Sequence, residues 1–199
     1  MMLEPKIIDN LLTPSYANQL EFDLLQWNFP WFYVNDVTFK NYGTNGGLAH
    51  VAYDENATPS NWYPFIKPVV YHIADAVDRP IDKLLRIRVG FLTPANQDNY
   101  SCNAPHVDFL SPHITACYYV SDSDGDTIVY DKKLADVGTQ IDNQRLVDYA
   151  EQTDFNVISR CAPVKNRVCV FDGLSFHSST KPKHHDRRLV ITINYVPQY

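Results

Sequence analysis

From residue 84 to its end the chain is a succession of short segments rich in β-branched and aromatic residues, and this texture constrains the fold more than any other feature. The segments read LLRIRVGFLTP, HITACYYVSD, DTIVYD, NVISRCAP, RVCVFD and RRLVITINYV, divided by clusters of Pro, Gly, Asp and Asn. β-Branched and aromatic side chains suit a pleated, half-buried surface, and the dividing residues are those that turn a chain. Many short strands following a helical region predict a β-sandwich or barrel with helices packed on one outer face. The exception is 133–155, a polar stretch containing NQRLVDYAEQ and too long for a hairpin loop. It predicts a short helix within either an active-site flap or a plain insertion.

Residues 1–83 read as a helical support region with loops. Thr13-Pro14 is a good helix start, since threonine can cap the first amides and proline suits the first helical position. Tyr16, Leu20, Leu24 and Trp27 then fall on one helical face. A second helix is expected over 61–78 with Trp62, Ile66, Val70, Ile73 and Val77 inward, although Pro68 removes an amide donor inside it. The stretch between them, NYGTNGGLAHVAYDENATPS, reads as loop.

With 199 residues, the chain suits one domain, 1–199, in which 84–199 form the core and 133–155 an insertion. A hydrophobic fraction of 45% and a charged fraction of 20% mark a globular protein. The net charge of −6 argues against a general grip on nucleic acid, whose phosphates call for a basic surface. No apolar run approaches the roughly 18 residues that cross a bilayer, so no membrane partner is expected. MMLEPKIIDNLLTPS lacks the basic-then-apolar order of a signal peptide. Cys102, Cys117, Cys161 and Cys169 fit no CxxC pattern and read as free thiols of a reducing compartment, the cytoplasm.

His106 and Asp108 alternate with Val107, so on an extended segment both side chains share a face. His177 follows a strand that closes on an Asp-Gly turn in VCVFDGLSFH. Two imidazoles and one carboxylate on one face of an ion leave its other positions open, a donor set that suits Fe(II). Three such polar groups converging inside a barrel are costly to bury unless a metal satisfies them. The aspartates of SDSDGDT could instead suggest a calcium loop, but no glutamate follows at the EF-hand position, so a tight hairpin is expected there. His113 reads as a loop or strand-edge residue, and His184 and His185 of KPKHHDRR as solvated.

Taken in order, His106-Val107-Asp108, ACYYVSDSDGDTIVY, CAPVKNRVCVFDG, His177 and the Arg187-Arg188 pair resemble the Fe(II)/2-oxoglutarate-dependent dioxygenases, in particular their prolyl-hydroxylase-like branch. The resemblance covers about 84–195. It implies a double-stranded β-helix (jelly-roll) core, with Fe(II) held by His106, Asp108 and His177, 2-oxoglutarate as cosubstrate and O2 as oxidant. It also implies a basic residue that pairs with the far carboxylate of 2-oxoglutarate, a task a guanidinium performs bidentately. Strand alternation puts Arg188, Val190, Thr192 and Asn194 on one face and Arg187, Leu189, Ile191 and Ile193 on the other, which favours Arg188 over Arg187. Tyr119 resembles the tyrosine that shares that carboxylate.

The reaction so implied is hydroxylation of a C–H bond with succinate and CO2 as co-products. A carboxylate at Asp108 favours hydroxylation over halogenation. Expected substrates are a peptide or protein side chain of prolyl type, or a small molecule, lined by 41–57, 93–103 and 133–155. The competing readings are a non-catalytic barrel that keeps the metal residues as a binding module, and a nucleic-acid demethylase, which the acidic balance disfavours.

Overall fold

In a computed structural model of the chain, describing residues 3–35, 46–94, 102–139 and 141–198, two antiparallel sheets face one another. The larger has seven strands in the order β1 (Lys6–Ile8), β8 (Arg167–Asp172), β5 (Ile114–Tyr119), β10 (Arg188–Pro197), β4 (Ile81–Leu92), β3 (Gly47–Asp54) and β2 (Phe32–Val34). The smaller has three, β7 (Val157–Cys161), β6 (Thr127–Lys133) and β9 (Ser175–Ser179). The fold is mainly β, a jelly-roll core with helices on one outer face.

Alternation along β10 divides the molecule. Leu189, Ile191 and Ile193 are fully buried against α1 (Pro14–Leu24) and α3 (Pro68–Val77), together with Leu20, Leu24, Val70 and Ile73. Arg188, Val190, Thr192 and Asn194 point the other way, toward the small sheet, as the period of two requires.

Pro68 does not kink a continuous helix. α2 (Tyr63–Ile66) stops before it and α3 starts on it, where a missing amide donor costs nothing. α1 likewise begins on Pro14, but the Thr13 hydroxyl makes no capping bond. The helix ends at Leu24, so Trp27 lies beyond its last turn and is 94% exposed instead of inward; Phe29 fills the core position. The N-terminal region is also less helical than expected. β3 occupies the stretch read as loop and pairs with β4, and Ile7 and Ile8 belong to β1 on the sheet edge.

The SDSDGD segment is not a tight hairpin. β5 is flanked on both sides by β8 and β10 and has no edge left for β6, so the chain crosses to the other sheet. Asp124 organises that crossing by accepting the backbone amides of Lys183, His184 and His185. Segment 133–155 contains a 3₁₀ turn (Leu134–Val137) and α4 (Asn143–Gln152), whose first turn is capped by Asp142 accepting from the Arg145 amide at 2.8 Å. Leu134, Val137 and Leu146 pack with Ile128, Tyr130 and Phe176 on the face of the small sheet turned away from the large one.

Candidate metal centre

A single antiparallel bridge joins His106 to His177, each amide donating to the other's carbonyl at 2.9 Å. Instead of a regular strand, the chain bends at Asp108 immediately after this bridge. The bend still delivers the expected convergence: one ligand atom from each of His106, Asp108 and His177 lies within 4.8 Å of the others. Among the described residues this is the group of His, Cys, Asp and Glu gathered closely enough to hold an ion.

The ring nitrogens are oriented from behind. His106 Nδ1 donates to the Ala104 carbonyl at 3.0 Å and His177 Nδ1 to the Ser175 carbonyl at 3.3 Å, which leaves the lone pair of each ring on Nε2. Burial pushes the pKa of His177 down to about 3, with His106 adding to the shift and Asp108 opposing it. Burial also lowers His106. Both rings are therefore neutral donors. Burial opposes the charged form of Asp108, yet the Arg86 guanidinium, followed by the two histidines and Asn194, holds its carboxyl well below the usual range. Arg86 Nη2 donates to Oδ1 at 2.6 Å and Asn194 Nδ2 to Oδ2 at 2.9 Å.

His106, Asp108, His177 and Arg86 line a cavity of about 80 Å3 whose wall also includes Arg88, Arg188, Thr127, Asn103, Cys117 and Val190. Arg188 is 4% exposed, and no carboxylate pairs with it among the described residues. Its Nε donates to the Gly125 carbonyl at 2.6 Å and its Nη2 to Thr127 Oγ1 at 2.8 Å. Gly125 has to be glycine here: a Cβ would lie 2.6 Å from the Thr180 carbonyl oxygen and 2.9 Å from Arg188 Cδ. A buried cation fixed on two sides, facing a cavity, is built to receive an anion.

The same fold recurs in solved structures similar to this one. The non-heme α-ketoglutarate-dependent carbocyclase SnoK from nogalamycin biosynthesis superposes with a TM-score of 0.66 at 10% identity, covering 98% of this chain and 79% of that one. HygX from Streptomyces hygroscopicus, with nickel and 2-oxoglutarate bound, gives 0.60 at 14% identity, covering 100% and 84%. A Pseudomonas putida prolyl-4-hydroxylase gives 0.54 at 10% identity, covering 99% and 94%. The chain has the fold of the Fe(II)/2-oxoglutarate-dependent oxygenases. No sequence-family model and no curated protein sequence matches it.

Within this oxygenase fold the donor chemistry fits a ferrous ion, since two neutral imidazoles and one ionised carboxylate converge on one cavity. The unpaired Arg188 fits the far carboxylate of 2-oxoglutarate. Two residues expected to contact the cosubstrate do not line the cavity. Tyr119 is fully buried and does not line the cavity; its hydroxyl donates to Thr127 Oγ1 at 2.7 Å, so it stands behind Thr127 and Arg188. Arg187 lies outside the cavity wall, as alternation along the strand demands.

Sequence reasoning did not single out Arg86, Arg88 or Asn194, although all three were visible as polar residues on the inward alternation of two strands. Asn103 lies outside a strand, at the end of the expected lining segment 93–103. His113, assigned no part in the site, ends a chain of hydrogen bonds from Asp108 through Asn194 and Thr115. Segment 133–155 contributes no described residue to the cavity wall, and of 41–57 and 93–103 the described contributors are Leu48 and Asn103. Within these segments, residues 41–45, 95–101 and 140 lie outside the described residues. The SDSDGD carboxylates hold loop amides and the Arg160 guanidinium rather than a cation site. All four cysteines are free. Among the described residues no helix is long and apolar enough to cross a membrane.

Proposed function

We propose that this protein is an Fe(II)- and 2-oxoglutarate-dependent oxygenase that hydroxylates a C–H bond. One observation carries the reading: a His-His-carboxylate group and a buried arginine that lacks a carboxylate partner among the described residues face the same cavity. His106, Asp108 and His177 hold the ion, and Arg188, braced by Gly125 and Thr127, orients the cosubstrate through its far carboxylate. When both are bound, they supply the oxidising chemistry, in which O2 is consumed, 2-oxoglutarate becomes succinate and CO2, and the substrate gains one oxygen. The protein contributes position and charge. Asp108 is kept ionised by Arg86, and the two Nδ1–carbonyl bonds keep the rings in the ligating tautomer. Leu48, Leu92, Cys117 and Val190 give the cavity part of its wall as apolar surface.

The substrate is a peptide side chain or a small molecule; similar folds include the prolyl-4-hydroxylase named above and HygX with hygromycin B bound. Anaerobic titration of the protein with Fe(II) and 2-oxoglutarate tests the reading. A weak visible charge-transfer band is expected and should vanish in Asp108→Ala, with succinate forming once O2 is admitted. A protein that binds neither component, or binds metal without 2-oxoglutarate, would be the non-catalytic barrel.

A further inference from the structure

His113 immediately precedes β5 and is 4% exposed. Its ring lies against Gly173 in the turn between β8 and β9, where an added Cβ would stand 2.2 Å from Nε2 and 2.3 Å from Cδ2. Only a residue without a side chain leaves room there for the imidazole. The Gly173 amide also donates to the His113 carbonyl at 2.9 Å. Ring and backbone of His113 are thus both fixed.

The hydrogen bonds that leave this ring run in one direction. Nδ1 meets the Ser111 carbonyl at 2.7 Å, and a carbonyl can only accept, so Nδ1 carries the proton. Burial holds the pKa of the ring below its ordinary 6.5, so the imidazole is neutral and Nε2 keeps a lone pair. Thr115 Oγ1, 3.2 Å away, donates its one proton to that lone pair. The hydroxyl oxygen is then an acceptor toward Asn194 Nδ2 at 3.0 Å. The other Nδ2 proton goes to Asp108 Oδ2 at 2.9 Å, and that oxygen stands 3.8 Å from His177 Nε2.

This order excludes an alternative that Asn194 would otherwise have. Its Oδ1 is buried without a hydrogen-bond partner among the described residues, so nothing on the oxygen side holds the amide. A Thr115 proton released from His113 can turn to that oxygen, and a rotated amide would then present Oδ1 to the Asp108 carboxylate. Such a contact replaces a charge-assisted hydrogen bond by the repulsion of two acceptors. The lone pair of His113 keeps the Thr115 proton engaged, and the nitrogen side of Asn194 stays turned to the metal ligand.

We propose that His113 is a positioning residue for the metal centre: acting through Thr115, it sets which side of the Asn194 amide meets Asp108. The role of the metal rests on the oxygenase reading, whereas the order of the hydrogen bonds is measurable without it. In the metal-free protein at neutral pH, nitrogen NMR of the histidine rings should show His113 protonated at Nδ1 and bare at Nε2. Anaerobic titration should show the Fe(II) Kd raised about five- to tenfold in His113→Phe, which keeps a ring and loses the acceptor. The 2-oxoglutarate Kd of the iron-loaded variant should stay within about twofold of wild type. His113→Gln, whose Oε1 can accept in place of Nε2, should bind Fe(II) within about threefold of wild type. Thr115→Val breaks the same link without altering the ring; it should weaken Fe(II) about as much as His113→Phe does, and it replaces that variant should the larger ring not fold. In an Asn194→Ala background the His113→Phe or Thr115→Val penalty should vanish, whereas a loss of general packing would carry over unchanged. The inference is overturned if Nε2 carries the proton, if the folded link-breaking variants bind Fe(II) as wild type does, if His113→Gln binds it more than about tenfold more weakly than wild type, or if the penalty persists beside Asn194→Ala. Wild-type protein with the expected ring tautomer that binds no Fe(II) would instead sink the oxygenase reading.

Discussion

The Arg86 guanidinium donates to Asp108 Oδ1 across 2.6 Å, and so fixes a carboxylate that comes from a bend in the chain rather than from a strand. Asn194, directly opposite Arg86 on β10, holds the other oxygen. The charge and orientation of Asp108 are therefore set by the large sheet, although Asp108 itself lies outside it. Arg86→Gln should lower Fe(II) affinity by about 10- to 100-fold, as removal of a partner behind a metal ligand typically does. Anaerobic metal titration checks this, with circular dichroism reporting that the fold is kept.

Arg188→Met should act on the cosubstrate alone. Loss of a charge-assisted pair of hydrogen bonds should raise the 2-oxoglutarate Kd by about 10- to 100-fold while leaving metal affinity unchanged. Equal weakening of metal and 2-oxoglutarate would contradict the separation of roles between the two ends of the cavity.

Gly125→Ala should damage the same function without touching a charged group. The added methyl would press on the Thr180 carbonyl and on Arg188 Cδ. Overpacking of this kind costs about 1–3 kcal/mol, so the urea midpoint should fall and the 2-oxoglutarate Kd rise together.

Leu146→Ala tests whether 133–155 is scaffold or flap. Leu146 anchors α4 to the reverse face of the small sheet beside Phe176 and Ile128. Its truncation should cost about 2–4 kcal/mol of stability, yet leave the metal and 2-oxoglutarate affinities of the folded protein unchanged. A selective loss of cosubstrate binding in a stable variant would make the segment part of the site.

Stability of the metal-free protein should fall on mild acidification. His50 is buried beside Phe29, its Nδ1 donating to the Pro30 carbonyl at 3.0 Å and its Nε2 accepting from Ser60 Oγ at 2.9 Å. Burial depresses its pKa below the ordinary 6.5, with the Pro30 carbonyl opposing. Below pH 6.5 the unfolded chain therefore takes up the proton before the folded one. The stabilisation is whole above that pH and is lost as pH falls through the folded pKa. Urea midpoints measured from pH 7.5 to 5 should decline, and less steeply in His50→Gln.

Local pattern sufficed for much of this protein. Alternation in RRLVITINYV separated Arg188 from Leu189, Ile191 and Ile193, because a strand shows opposite faces to two different environments whatever its neighbours are. The metal residues were legible mainly through the ordered motifs that resemble the Fe(II)/2-oxoglutarate-dependent dioxygenases, supported by the cost of burying three such polar groups together without a ligand. What the sequence could not supply was pairing. That β5 is enclosed by β8 and β10, that β3 joins β4, and that 133–155 turns its apolar face away from the cavity all depend on partners far along the chain. Arg86 meets Asp108 across 22 positions and Asn194 meets it across 86, distances over which no periodicity runs. Only the closing of two sheets on each other brought those side chains to one carboxylate.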